Sequence, residues 1–130
     1  MAKENKIRVA LFEPGKEPVE THIENDLKAL QKCVHGYIEC IQLSDDLVMV
    51  CNDEGKLNGS LPNRRLGDDT IFDTFVVVGD THDDDGNFRS LTDDEMALVY
   101  MAFYNYIDTS KMSTDDIEKL RDIEIKITAF

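Results

Sequence analysis

No apolar run in this 130-residue sequence approaches the roughly 20 residues needed to cross a bilayer. Near the start the apolar stretch is only Val9 to Phe12, too short for the apolar region of a secretory signal. The expectation is a cytoplasmic protein without membrane contact. Basic residues are scarce: 14 Lys and Arg against 27 Asp and Glu leave a net charge of −13. That balance argues against direct nucleic-acid binding, which needs phosphate neutralisation, and against docking on anionic lipid. Cysteines are few and odd in number, Cys33, Cys40 and Cys51, with no close pairing motif. In apolar surroundings they are expected as buried, reduced thiols. No CxxC or HxxxH spacing offers the four ligands of a zinc site.

Catalytic signatures are missing too. There is no GxSxG elbow, and His22, His35 and His82 stand beside no nucleophile motif. Asn58-Gly59-Ser60 and Gly67 do not make a phosphate loop. Placing Gly86 at the sixth position of a calcium loop puts Asp83 and Asp85 at the third and fifth. The first and twelfth positions then fall on Thr81 and Thr92, so the outer ligands are absent. Asp83 and Asp85 are weak metal candidates, and no cofactor is expected. The chain reads as a non-catalytic protein.

What is present is globular. Apolar residues make up 42% and charged residues 32%, as in an ordinary folded domain. One domain over residues 1–130 would bury roughly two-thirds of its extended-chain surface. Residues 6–12 and 17–23 read as a hairpin around Pro14-Gly15. Asn25 suits a helix N-cap, Leu27, Leu30 and Val34 form the stripe, and Gly36 is the expected left-handed residue beyond its end. Residues 37–43 and 47–51 read as a second hairpin. Residues 52–69 hold three glycines, three asparagines and a proline, and read as a structured loop with short extended pieces. Residues 71–79 form the strongest strand signal. Thr92-Asp93-Asp94-Glu95 is a capping box flanked by Leu91 and Met96, opening a helix with Val99 and Phe103 inward. A short helix near Ser113 carries Ile117 and Leu120, and the alternation of Ile123 to Ile127 predicts a final edge strand. The fold class is α+β, a mostly antiparallel sheet with two or three helices on one face. Core positions are Leu27, Leu30, Val48, Val50, Phe75, Val77, Val99 and Phe103.

Leu61-Pro62-Asn63-Arg64-Arg65-Leu66-Gly67 is the most unusual stretch. Two adjacent arginines in a strongly acidic chain need a reason, and guanidinium holds carboxylate or phosphate by a planar fork. Structurally, Arg64 or Arg65 would pair with Asp68, Asp69 or the acidic loop. Functionally, they would join Asn52 and Asn63 around an anionic ligand such as a nucleotide phosphate. Since adjacent residues of an extended segment point to opposite sides, only one arginine is expected at a given pocket.

Several short motifs also carry a resemblance. They are Glu13-Pro14-Gly15-Lys16, Leu27-Lys28-Ala29-Leu30-Gln31 leading to Gly36-Tyr37-Ile38-Glu39, Cys51-Asn52-Asp53-Glu54-Gly55-Lys56, Leu61-Pro62-Asn63-Arg64 and Thr74-Phe75-Val76-Val77-Val78-Gly79. In order and spacing they resemble the domain-of-unknown-function 3846 family over roughly residues 7–95. The family's usual Gly-Leu-Pro is interrupted here as Gly59-Ser60-Leu61-Pro62. The resemblance implies an origin on a phage or other mobile element, and it supplies no activity, cofactor or catalytic residue. The leading expectation is a binding protein that captures an anionic, nucleotide-like molecule as a counter-defence factor. The alternative is an acidic DNA mimic that inhibits a host restriction or defence protein, because residues 80–95 hold seven acids and one arginine. The partner is thus an anionic small molecule or a host protein. The final strand and the wide spread of Tyr100, Phe103, Tyr104 and Tyr106 around their helix add the expectation of a homodimer.

Overall fold

The computed structural model describes residues 5–57, 59–83 and 87–128. Strands β1 (Lys6–Phe12) and β2 (Val19–Glu24) form the first hairpin, and helix α1 (Leu27–Val34) follows. Strands β3 (Ile38–Gln42) and β4 (Leu47–Asn52) form the second hairpin. A separate small hairpin comprises β5 (Pro62–Leu66) and β6 (Asp69–Phe72), and the chain then enters β7 (Phe75–Asp80). The short β8 (Phe88–Arg89) precedes α2 (Asp93–Ala102), a 3₁₀ turn at Thr109–Lys111 and α3 (Thr114–Thr128). The main sheet runs β2-β1-β7-β4-β3, with β8 added along β7, and every pairing is antiparallel. The class is α+β, as the pattern of elements predicts.

The helices do not share one face. Ile7, Val9, Val48, Val50, Val76 and Val78 point to the side covered by Leu30 and Val34 of α1. Ala10, Phe12, Met49, Phe75 and Val77 point to the other side and meet Met96, Val99 and Phe103 of the α2 region. The reason lies in β1, β4 and β7. Val9-Ala10, Leu47 to Cys51 and Phe75 to Val78 are apolar without alternation, so both faces of the sheet centre need a cover.

Local boundaries follow their own chemistry. Asp26, not Asn25, caps α1 and accepts from the Ala29 N–H at 2.8 Å. Asn25 is buried, and its Nδ2 donates to the Phe88 carbonyl at 2.9 Å. The left-handed residue after α1 is His35, at φ 66°, not Gly36. Gly36 is needed for space instead: a Cβ there would stand 2.9 Å from Asn52 Nδ2. Leu27, in the first turn of α1, is 56% exposed and leaves the expected core, while the other seven expected core residues are buried. Of the cysteines, Cys51 is buried, Cys33 half-buried and Cys40 exposed on β3, so burial holds for one thiol of three.

The long strand expected over 71–79 is broken at Asp73, whose φ of 67° turns the chain from the small hairpin into the main sheet. Asp73 Oδ1 accepts from the Thr74 N–H at 2.7 Å, a local bond that suits Asp to this turn. The expected final strand, Ile123 to Ile127, is helical and belongs to α3. Ser113 and Asp116 cap that helix reciprocally at 3.1 Å each. A helix so started carries through the five alternating residues, which also fit an i, i+4 repeat.

The capping box at α2 stands as read, with Glu95 N–H to Thr92 Oγ1 at 3.1 Å and Thr92 N–H to Glu95 Oε1 at 2.9 Å. Arg89 adds a two-pronged fork to Glu95 at 2.7 and 2.9 Å, lying over Gly79, where a Cβ would meet Arg89 Nη1 at 2.5 Å. The Arg89 fork, aided by the Thr92 bonds, lowers the Glu95 carboxyl from 4.5 to about 2. A depressed folded pKa gives stability that is present above the unfolded value and is lost as pH falls through the folded one. Between pH 5 and pH 2.5, thermal unfolding of Glu95→Gln is therefore expected to shift less than that of the parent. Parallel shifts would remove Glu95 from the acid response.

Candidate functional site

The β5–β6 hairpin pairs Pro62 with Phe72 and Arg64 with Ile71, so the register slips at Asn63. This bulge changes which side chains face inward. Asn63 and Arg64 are adjacent yet both buried, and Arg65 is exposed. Asn63 Nδ2 donates to the carbonyls of Phe12 (2.8 Å) and Asp73 (2.7 Å), tying the hairpin to the main sheet.

Arg64 is fully buried. Its Nε donates to the Phe103 carbonyl at 2.7 Å and Nη2 to the Lys16 carbonyl at 2.6 Å. Nη1 donates to Asn63 Oδ1 at 2.6 Å and to the Glu13 carbonyl at 3.3 Å. The guanidinium also lies 5.4 Å from the Phe12 ring centre and 5.7 Å from that of Tyr106. All four acceptors are neutral oxygens. Among the described residues no carboxylate pairs with Arg64, and Asp69 instead takes Lys56 at 2.5 Å. Among the described residues, the expected pairing of Arg64 or Arg65 with Asp68, Asp69 or the acidic loop is thus not formed. Burial lowers the Arg64 pKa, but a guanidinium remains a cation in proteins. The charge is therefore desolvated and has no counter-ion among the described residues.

Arg64 and Arg65 line one cavity of about 430 Å³, with Phe103, Asn105, Tyr106 and Ile107 in the same wall. Arg64 and Arg65 alternate as neighbours on a strand do, one buried and one exposed, yet both border this cavity, so the expectation of one arginine per pocket is not met. Among the described residues no carboxylate lines this cavity. The cleft beside α1, about 660 Å³, has Glu13, Glu24 and Asp26 in its wall. The cleft between the 53–60 loop, β6 and α3, about 710 Å³, has Glu39, Asp53, Glu54, Asp69 and Glu118. The arginine cavity is thus a cationic recess in a chain of net charge −13.

The four residues singled out in the sequence separate. Asn52 lines the 710 Å³ cleft, and its side chain bonds the Val34 carbonyl at 2.8 Å and the Glu54 N–H at 2.7 Å. Asn63 holds the backbone behind the arginines. Asn105 and Tyr106 are the wall residues the sequence reading missed; they belong to an irregular stretch pinned to β5 by the Ile107 N–H on the Asn63 carbonyl at 3.0 Å. As for metals, Asp85 lies outside the described residues and Asp83 is exposed. Among the described residues no group of three His, Cys, Asp or Glu could hold an ion. His35 pairs with Asp73 at 3.2 Å and His82 with Asp46 at 3.1 Å, both at the surface. No helix of the described residues is long and apolar enough to cross a membrane.

The cavity can hold an anion. Arg65 supplies an exposed fork with no partner of its own among the described residues, and Arg64 supplies a buried charge. Arg64 retains one N–H beyond its four bonds. Tyr106 offers an aromatic ring and Asn105 an amide.

No curated protein and no solved structure gives a significant match to this chain. The sequence model of a family described as a domain of unknown function, DUF3846, matches residues 7–104. The match takes in the main sheet from the second residue of β1, both arginines and α2. It ends just before Asn105 and Tyr106, so the cavity is closed by residues beyond it. Through a match over most of its length, the chain belongs to the DUF3846 family.

Proposed function

We propose that this chain is a non-catalytic binding protein that takes a small anionic, nucleotide-like ligand into the arginine cavity. The observation that carries the reading is a pair of adjacent guanidiniums, one buried and one exposed, with no carboxylate on either among the described residues. An anion entering the recess meets charge that folding has left uncompensated, in surroundings where water screens weakly. A volume of about 430 Å³ lies in the ordinary range for small-molecule sites. Among the described residues no acid, histidine or cysteine stands in the wall, which favours capture over proton transfer or nucleophilic chemistry. The use we propose, in a phage or other mobile element, is sequestration of a host defence signal.

Calorimetric titration with ADP, inorganic pyrophosphate and adenosine tests this. ADP and pyrophosphate are expected to bind and uncharged adenosine is not. Arg65→Ala should weaken ADP binding by roughly ten- to hundredfold, the worth of one charge-assisted fork. Because Arg65 has no partner among the described residues, the melting temperature of this variant should stay put. Absence of binding by the parent would overturn the reading and favour the second one, an acidic surface that mimics DNA. Supporting that alternative, the Asp80 N–H bonds the Asp46 carbonyl at 2.9 Å, which sets Asp80 beside the acids of the β3–β4 turn, Asp45 and Asp46.

A further inference from the structure

We propose that the base of a nucleoside diphosphate stacks on the outer side of Tyr106, with Asn105 on its edge, so that the arginine cavity selects an adenine nucleotide over a bare phosphate group. The inference rests on the anion reading above and adds the part of the ligand that carries no charge. Tyr106 borders the cavity of about 430 Å³ together with Arg65. One side of its ring is taken by the Arg64 guanidinium, 5.7 Å from the ring centre. Arg64 is fully buried, yet Tyr106 is 42% exposed, so the open part of the ring lies away from Arg64. The Tyr104 hydroxyl reaches Glu17 at 3.4 Å, whereas Tyr106 makes no hydrogen bond among the described residues. Its exposed side is therefore not explained by a bond of its own.

The ring is also held in place before a ligand arrives. The Phe103 carbonyl accepts from Arg64 Nε at 2.7 Å, and the Ile107 N–H donates to the Asn63 carbonyl at 3.0 Å, so the chain is fastened on both sides of Tyr106. A surface already ordered costs a ligand little further ordering. An aromatic face beside a guanidinium fits an anion with a flat aromatic part, whose base stacks while its phosphate takes the fork. A sugar phosphate or pyrophosphate would leave the ring unused. Asn105 is exposed and has no hydrogen-bond partner among the described residues. Its amide offers a donor and an acceptor in one plane. Adenine presents the matching pair, the N7 acceptor and the N6 donor, whereas the same edge of guanine presents two acceptors. Of the two purines, adenine is the one this pair of residues fits.

Calorimetric titration of the full chain with ADP, GDP and inorganic pyrophosphate tests the proposal through ratios of affinity within each protein. In the parent, ADP should bind about tenfold or more tighter than pyrophosphate, the worth of one base stacked on an aromatic ring. It should also bind about tenfold tighter than GDP, the worth of one matched edge. Tyr106→Leu should erase the margin of ADP over pyrophosphate, and Tyr106→Phe should restore it, because the ring stacks and the hydroxyl does not. Asn105→Ala should bring ADP and GDP level while ADP keeps a margin over pyrophosphate. A variant that merely loosens the cavity lowers both affinities and leaves their ratio in place. A parent that binds ADP and pyrophosphate alike would overturn this inference and leave the anion reading standing, whereas a parent that binds neither would overturn both. A margin over pyrophosphate that survives Tyr106→Leu, or one over GDP that survives Asn105→Ala, would overturn the role given to that residue.

Discussion

Arg64→Met is expected to destabilise the fold by about 3–5 kcal/mol in denaturant titrations. Two effects oppose each other. Removing a buried charge returns several kcal/mol of desolvation. It also strands the carbonyls of Phe103, Lys16 and Glu13 and the Asn63 amide oxygen, which now accept from a charged donor. Such bonds are worth about 1.5–3 kcal/mol each, so four of them outweigh the desolvation returned. The acceptors belong to three separate stretches of chain, the β1–β2 turn, the β5 bulge and the end of α2. Arg64→Lys should recover only part of the loss, because an ammonium cannot reach them in one plane. A loss below about 1 kcal/mol for the methionine variant would mean that these bonds do not hold the hairpin to the sheet.

Phe103→Ala should cost a similar amount, about 3–5 kcal/mol, for a different reason. Phe103 meets Phe12 at 5.6 Å and Phe75 at 5.7 Å, both edge-on, while Phe12 and Phe75 stack at 4.7 Å. Alanine leaves a void against two rings that cannot collapse onto it. The same residue's carbonyl accepts the Arg64 Nε, so the two substitutions should not be additive. A double-mutant cycle measures this. Additivity within about 0.3 kcal/mol would uncouple the aromatic core from the arginine.

The parts of the fold that were legible in the sequence rest on local chemistry. The Thr92–Glu95 box, the two long hairpins and the helical stripe of Leu30 and Val34 are each fixed by residues a few positions apart. What escaped depends on residues distant in sequence or on backbone that leaves no signature. The unalternating runs in β1, β4 and β7 do announce a sheet buried on both faces, and they contradict the one-sided arrangement that element order had suggested. The bulge at Asn63 reverses the facing of Arg64, and a single irregular residue has no pattern to betray it. The partners of Arg64 are mostly main-chain carbonyls, which every residue carries, so sequence alone could flag the arginines as unusual without saying what they hold. Asn105 and Tyr106 enter the cavity from 40 residues further along. In the helical reading of Ile123 to Ile127, a five-residue alternation gives way to the cap at Ser113.

Two neighbouring arginines divide the labour: Arg64 holds the fold, and Arg65, beside it, is the residue we propose meets the ligand. The most direct test is the set of arginine Nε–Hε resonances, recorded by nuclear magnetic resonance while ADP is added to the intact protein. The account predicts that the Arg65 signal moves furthest and saturates with occupancy. The Arg64 signal should start out slow to exchange with solvent, held by the Phe103 carbonyl, and stay so throughout. Signals of Arg8, Arg89 and Arg121, which lie in other parts of the fold, should stay in place. An Arg65 signal that does not move while ADP binds, or an Arg64 proton that exchanges as freely as an exposed one, would contradict it.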